Sequence, residues 1–411
     1  MSPPAKPQTS SRTGLRTWHR ILGSVVALFL LYFGITGTFV QVVDLRALLS
    51  HAPASDPDIK AIRESVDGTA NFSVIDVPDY DAQTLPKDLD RRAAFATTIK
   101  AAHAAAPQAP LKFVELRMIG SHPVGQVMAG DALLRFDAVS GAPLVVTAAP
   151  AQHGPEPSNH RSAKQWHRLW VLTDWALWFN ALIGIALGVM VVTGLVLYVQ
   201  LYKARSRIGR KALLWSAGGL WKTLHRGVAL IAAAFLSVVA VSGTLLSIDS
   251  FALQIYRATP GANLINGFPA GMNADLSSPL SDSRLPTMLD TTLTANGDAP
   301  VRVMRLRYFS GMPQGLIITG GQAKQRVFNA QTGRPVSMTE PGYPYTGFPF
   351  GWREHELMKL IHRGDILGLP GRFMDLFAGL ALIFLSASGL WMYLDLWKRR
   401  RLQGRSHAFW R

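Results

Sequence analysis

The sequence predicts a membrane α-helical protein with four transmembrane helices in two parallel repeats, plus two α+β domains outside the bilayer. Three observations predict it. Four apolar runs are each long enough to cross the hydrocarbon core, which takes about 20 helical residues. The positive charge is confined to three segments between and beside those runs, and the chain matches itself at fixed offsets.

The runs are Ile21–Val43, Leu177–Tyr202, Val228–Ile248 and Phe373–Leu396. Hydrophobic residues make up 48% of the 411 and charged residues only 17%, the balance expected of a chain with much of its length in lipid. Four spans put both termini on one side. The first run continues past the length of a signal-peptide core and has no small-residue cleavage site after it, so it reads as a retained anchor.

The formal charge is +16, which in a soluble protein would raise the question of nucleic acid. Its location answers the question. Residues 1–20, 203–226 and 398–411 hold four, seven and six basic residues and no Asp or Glu, leaving 25 basic against 26 acidic residues elsewhere. By the positive-inside rule these three segments face the cytoplasm, and no nucleic-acid partner is needed. The expected division is therefore a cytoplasmic N-terminus (1–20), a first span (21–43), an outer domain (44–165), an outer helix with the second span (166–202) and a cytoplasmic loop (203–226). A third span (227–249), a second outer domain (250–355), an outer helix with the fourth span (356–397) and a cytoplasmic tail (398–411) complete it. The two long connections, about 45–165 and about 250–355, are thereby expected to face outward.

The repeat has the form span, outer domain, span. At an offset of 206, His19-Arg20 matches His225-Arg226 and Gly37-Thr38 matches Gly243-Thr244; at 195, His167-Arg168 matches His362-Arg363 and Gly194-Leu195 matches Gly389-Leu390. Each copy holds an even number of spans, so the copies share an orientation and a pseudo-twofold axis runs along the membrane normal. In the outer segments Arg91–Ala106 reads as a helix. Lys112–Met118, Gly125–Ala129 and Leu133–Phe136 read as strands, as do Val301–Tyr308, Gly315–Ile318 and Arg326–Phe328 in the second copy. Ser140-Gly141 and Thr332-Gly333 suit turns. Amphipathic helices are expected near Asn159–Leu172 and Trp352–His362, with a break at Gly368-Leu369-Pro370-Gly371.

There is no cysteine, which excludes disulfides, iron–sulfur clusters, thiolate zinc and covalently attached haem. Histidine is the remaining ligand type of interest. Of 11 histidines, four stand in repeat-matched His-Arg pairs beside spans. His19 and His225 begin helices that leave the cytoplasm; His167 and His362 precede helices that enter from outside. The quasi-symmetry pairs His19 with His225 and His167 with His362, giving two bis-histidine sites at different depths that suit two non-covalent b-type haems between packed helices. A lone histidine at a membrane end is ordinarily an interfacial side chain; its duplication is what favours ligation. Arg20, Arg168, Arg226 and Arg363 are candidate partners for haem propionates. His160 and His355, seven residues before His167 and His362, are possible additional or alternative ligands. His51, His103, His122, His153 and His407 pair with nothing and read as ordinary solvated side chains.

Gly34, Gly37, Gly184, Gly188, Gly243 and Gly379 are candidates for close approach of helices or of a haem plane, with generic small-residue packing the plainer reading of each. Trp166, Trp170, Trp175 and Trp178 suit an outer aromatic belt. Tyr343, Tyr345, Phe348, Phe350 and Trp352 form an aromatic loop that suits a haem cover, a ligand dock or an interfacial anchor.

At these residues the chain resembles the PepSY-associated transmembrane helix family, which includes iron-regulated inner-membrane proteins and FoxB-type siderophore reductases. The resemblance rests on Trp18-His19-Arg20, Leu224-His225-Arg226, Thr36-Gly37, Ser242-Gly243, His362-Arg363-Gly364 and Leu369-Pro370-Gly371. It implies two periplasmic PepSY-like domains and, in the reductase branch, haem-mediated reduction of a ferric siderophore. Ferrous iron is held less tightly by hard oxygen ligands and is released. The chain has no G-x-G-x-x-G after a strand and no long cytoplasmic domain, so the donor is expected to be external, either a quinol or a cytoplasmic reductase. The expected activity is thus that of an oxidoreductase. The alternatives are a membrane transporter of an iron chelate, since parallel repeats also occur in carriers, and a non-redox binding or assembly protein. The spans carry neither obvious buried carboxylates nor interrupted helices, which weighs against the carrier.

Overall fold

The computed structural model describes residues 10–53, 56–66, 82–130, 132–144, 157–216, 218–261, 264–265, 268–269, 279–309, 312–320, 325–336 and 352–405. His153, His407 and the aromatic loop residues Tyr343, Tyr345, Phe348 and Phe350 lie outside them.

The chain forms two compact units. One comprises residues 1–45, 162–252 and 357–411, the other residues 46–161 and 253–356. The first holds the long helices: α1 (Ser10–Leu49), α5 (Leu177–Ser206), α6 (Leu220–Ala258) and α9 (Leu369–Leu402). Each contains a window apolar enough to cross a membrane, and α1, α6 and α9 overrun their apolar runs at both ends, α5 at its C-terminal end alone. The overrun follows from cooperativity: once the apolar stretch is helical, adding a flanking residue costs only propagation.

The membrane unit is held by Val26 and Leu30 of α1, Ile183 and Leu187 of α5, Ala232, Leu236 and Ala240 of α6, and Ala378, Ala381 and Leu382 of α9. Small residues set the distances, because in lipid helices associate by close packing rather than by hydrophobic drive. Gly184 of α5 lies against Thr244 of α6, and its repeat counterpart Gly379 of α9 lies against Thr38 of α1. Gly34 meets Ile383, whereas Gly188 faces open space.

Two short helices precede spans: α4 (Asn159–His167) and α8 (Trp352–His362). The break after α4 is made by Leu169, whose φ is +58°, and a 3-10 turn at Asp174–Ala176. After α8 it is made by Gly364, with φ +74°, whose backbone packs on that of Gly371. The expected helix over Asn159–Leu172 thus stops five residues early. Trp166, Trp170, Trp175 and Trp178 are all exposed, as an aromatic belt requires.

The second unit contains α2 (Pro57–Val66), α3 (Arg91–Ala105), β1 (Leu111–Ile119), β2 (His122–Ala129), β3 (Ala132–Asp137), the short pair β4 (Leu264–Ile265) and β5 (Phe268–Pro269), α7 (Leu285–Asn296), β6 (Val301–Phe309), β7 (Met312–Thr319) and β8 (Gln325–Asn329). All six expected strands are present and α7 supplies the helix of the second copy. The two halves do not form separate domains, however. They share one antiparallel sheet of order β3-β2-β1-β6-β7-β8. Pairing across the join is reciprocal: Val114 stands opposite Leu306 and Leu116 opposite Met304, with Glu115 facing Arg305 at the centre and ion-paired to it. Joining the halves removes one exposed edge from each three-stranded sheet, the physical reason for fusion. The helices lie on one face over a core that includes Phe95, Val114, Leu116, Met288, Leu306 and Phe328. They can approach closely because Gly125 and Gly315 leave room for Thr98 and Thr292.

Candidate functional site

The four repeat-matched histidines all lie in the membrane unit, each seated on another helix at a Ser/Thr-Gly step. His19 of α1 meets Thr193-Gly194 of α5, with Nδ1 2.7 Å from Thr193 Oγ1 and Gly194 opposite Cε1. His225 of α6 meets Ser388-Gly389 of α9, with Nδ1 again 2.7 Å from the hydroxyl. His167, ending α4, meets Thr36-Gly37 of α1 at 3.0 Å, and His362, ending α8, meets Ser242-Gly243 of α6 at 3.1 Å.

Counting protons on these hydroxyls bears on the histidine tautomer. Each hydroxyl has one hydrogen, and each donates it to a carbonyl of its own helix: Thr36 to Tyr32 at 2.9 Å, Thr193 to Val189 at 2.7 Å, Ser242 to Val238 at 2.6 Å and Ser388 to Leu385 at 3.3 Å. A hydroxyl that donates to its own helix accepts from the ring, the arrangement in which Nδ1 carries the hydrogen. The Nε2 lone pair is left for a metal.

The rings of His167 and His362 lie with centroids 6.4 Å apart and planes 31° apart. Two metal–nitrogen bonds of about 2 Å, plus about 1 Å from each nitrogen to its ring centre, require a separation of roughly 6 Å. Desolvation, with smaller pushes from His362 and Arg168, lowers the His167 pKa to about 3. Desolvation first, then Arg363, lowers that of His362 to about 4. Both are therefore neutral near pH 7, the form that ligates metal. Phe33 packs edge-on against His167 at 5.7 Å, and Tyr32 donates to the Trp166 carbonyl at 2.5 Å, tying the end of α4 to α1. His19 and His225 are close enough to interact electrostatically, so this pair too is brought together.

The two pairs lie near opposite ends of the bundle. Along α1, 18 residues separate His19 from Gly37, which touches His167; at 1.5 Å per residue that is about 27 Å. The same 18 residues separate His225 from Gly243 on α6.

Each candidate arginine has a protein neighbour or an intermediate position. Arg168 donates to Ser250 Oγ at 3.1 Å and lies 3.9 Å over Trp170; burial lowers its pKa to about 10, so it stays cationic at pH 7. Arg226 donates to the Trp215 carbonyl at 3.2 Å, Arg363 pairs with Asp365 at 3.0 Å, and Arg20 is partly exposed on α1. His160 and His355 belong to the other unit. His160 is buried there and its backbone amide donates to Asp58, while His355 is half-buried. Of the histidines read as ordinary, His103 pairs with Asp282 at 2.9 Å on the surface.

The residues fit a haem. Two imidazoles are too few for a bare ion, which takes four or more donors, and among the described residues no group of three His, Asp or Glu could hold one. A porphyrin brings four nitrogens of its own and needs only an axial pair. The seats of the four rings also fit: a Cβ at Gly37 would come within 3.2 Å of His167 Cε1, and one at Gly243 within 2.9 Å of His362 Cε1. Sequence reasoning singles out the four histidines, and Gly37 and Gly243, but not Thr193 and Ser388 beside two of the rings. The signal was there, as a Ser/Thr-Gly dipeptide recurring within all four spans at the repeat offsets.

Fold and site together define a four-span membrane protein with paired histidines at both ends of its bundle and, in a second unit, one antiparallel sheet with helices on one face. The chain belongs to the family described as the PepSY-associated TM region, whose model matches residues 16–395. No curated protein matches it.

Proposed function

We propose that the protein is a di-haem b electron-transfer protein of a bacterial inner membrane that reduces a ferric siderophore on the periplasmic side. The observation that carries this reading is the approach of the His167 and His362 rings to 6.4 Å between centroids, with Nδ1 of each ring held by a hydroxyl. Haem, when bound, supplies a one-electron ferric/ferrous couple; with both axial positions taken by imidazole, electron transfer is favoured over oxygen binding. Each remaining task falls to the chain. His19 and His225 hold one group and His167 and His362 the other, while the four hydroxyls fix ring orientation and tautomer. Arg168, cationic and partly buried, offers a counter-charge for a propionate.

Three basic segments, cytoplasmic by the positive-inside rule, place His19 and His225 at the inner end and His167 and His362 at the outer end. The donor, a quinol or a cytoplasmic reductase, would act inward of the acceptor. The siderophore's iron is the substrate, and reduction weakens its hold by hard oxygen donors.

The test is absorption spectroscopy of the purified protein. About two haems per chain with reducible low-spin bands, reoxidised on adding a ferric siderophore, is the expected result. Colourless protein from haem-replete cells sinks the proposal, and colourless protein that moves a chelate across vesicles would favour the carrier.

A further inference from the structure

The two copies of the repeat differ in one buried place beside His362. In the first copy, Asn180 of α5 donates its side-chain N–H to the carbonyl of Arg168, the residue after His167, at 3.0 Å. In the second, the matching position is Asp375 of α9, and the carbonyl of Arg363 is reached instead by Gln41 of α1, whose Nε2 lies 3.3 Å from it and 2.6 Å from Asp375 Oδ2. A carboxyl thus replaces an amide at this end of the bundle, so the fourth span does carry a carboxylate near one end, contrary to the sequence reading. Gln41 is one helical turn, about 6 Å, outward from Gly37, which touches His167.

The surrounding charges are Asp44 on α1, Arg363 at the end of α8, Asp365 in the following turn and Arg372 on α9. Arg372 is ion-paired with Asp44 and, at 2.7 Å, with Asp365; Arg363 pairs with Asp365 at 3.0 Å. Three carboxyls therefore accompany two guanidiniums, and the third, Asp375, is bonded by the neutral Gln41 amide. A buried carboxylate facing an amide gains far less than one facing a cation.

Neither protonation state satisfies the pair fully. With Asp375 ionised, Gln41 Nε2 serves both the carboxylate and the Arg363 carbonyl, but Gln41 Oε1, on a residue 3% exposed, has no hydrogen-bond partner among the described residues. With Asp375 protonated and the amide turned over, Oε1 accepts the acid proton, but Nε2 then occupies the place where Oε1 had no partner and the long bond to the Arg363 carbonyl is given up. Each state leaves polar groups of the pair unsatisfied, so neither is held strongly and a nearby unit of charge can switch them.

We propose that Asp375 and Gln41 form a proton-exchanging site that takes up one proton when an electron enters the centre held by His167 and His362, and releases it when that electron leaves. One electron from the donor takes the metal from ferric to ferrous, and one proton from water converts the Asp375 carboxylate to the acid. The buried charge is unchanged by the paired event. This rests on the electron-transfer reading above.

The experiment is redox-difference infrared spectroscopy of the purified, haem-loaded protein and its D375N variant, reduced with dithionite, with the midpoint potential of each centre followed against pH. D375N is expected to fold, because Asn180 already occupies the matching position. In the wild type a carboxylic C=O band should appear on reduction and shift in heavy water, and one centre's potential should fall by up to about 59 mV per tenfold drop in proton concentration. D375N should lose both. A band that survives D375N, or an unchanged pH slope, overturns the proposal. Haem content of the same sample separates the two readings: protein without haem overturns the electron-transfer reading, whereas loaded protein indifferent to D375N overturns the proton coupling alone.

Discussion

Ser388 Oγ lies 2.7 Å from Nδ1 of His225 and 3.3 Å from the Leu385 carbonyl, so the hydroxyl stands between the ring and its own helix and accepts the ring N–H when it donates to that carbonyl. Ser388→Ala leaves that N–H without its acceptor and the ring free to turn or change tautomer. Loss of such an outer partner ordinarily weakens metal binding 10–100-fold. Haem retained after dialysis, together with the potential of the inner centre, should fall or shift in S388A and recover in S388T. A merely structural serine would leave the potential where it was.

The pairing itself predicts a pattern of losses. His19→Ala and His225→Ala should each remove the same haem, taking the content from about two per chain to about one and leaving the low-spin signature of the other. His167→Ala and His362→Ala should remove the remaining one. Low-temperature difference spectra distinguish the centres; if H19A and H225A affected different haems, the assignment of partners would fail.

Glycine substitutions should rank by the space each ring leaves. A Cβ at Gly243 would stand 2.9 Å from His362 Cε1, while one at Gly389 would stand 3.6 Å from His225 Cε1, an ordinary contact. Gly243→Ala should therefore displace His362 and lower haem occupancy of the outer centre several-fold, by about 1–3 kcal/mol of overpacking. Gly389→Ala should be nearly silent. Pyridine-haemochrome assays on the two variants check the order.

Asp137 gives the sheet unit an acid-sensitive turn. Its Oδ1 accepts from the Ser140 amide at 2.7 Å and hydroxyl at 2.8 Å and from the Val139 amide at 3.1 Å, and these bonds, that of the Ser140 amide foremost, hold its pKa below the usual carboxylate value. Because the folded value lies below the unfolded one, the stabilisation is present above the unfolded pKa, about 4, and is lost as pH falls through the folded value. Asn329 makes the same turn in the other half with a neutral amide, accepting from Gln331 and Thr332. Asp137→Asn should therefore cost little at pH 7 and remove this acid sensitivity, whereas Asp137→Ala should cost about 1 kcal/mol. Thermal melts at neutral and mildly acidic pH test both.

Much of this protein was determined by local pattern. Twenty-residue apolar runs dictate spans, since lipid leaves a backbone no alternative to helix, and alternation with Gly turns dictates the strands from Leu111 to Asp137 and from Val301 to Asn329. Duplication made the four histidines visible, because like residues at like positions in two copies need no structure to be recognised. Tertiary structure alone decided that the strands of both halves form one sheet, since which edges pair depends on contacts between residues nearly 200 positions apart. It alone seated His19 on Thr193 and His225 on Ser388, and set Gln41 against Asp375. A sequence records which side chains each helix carries, but the rotation and spacing of one helix against another arise only when all four pack at once.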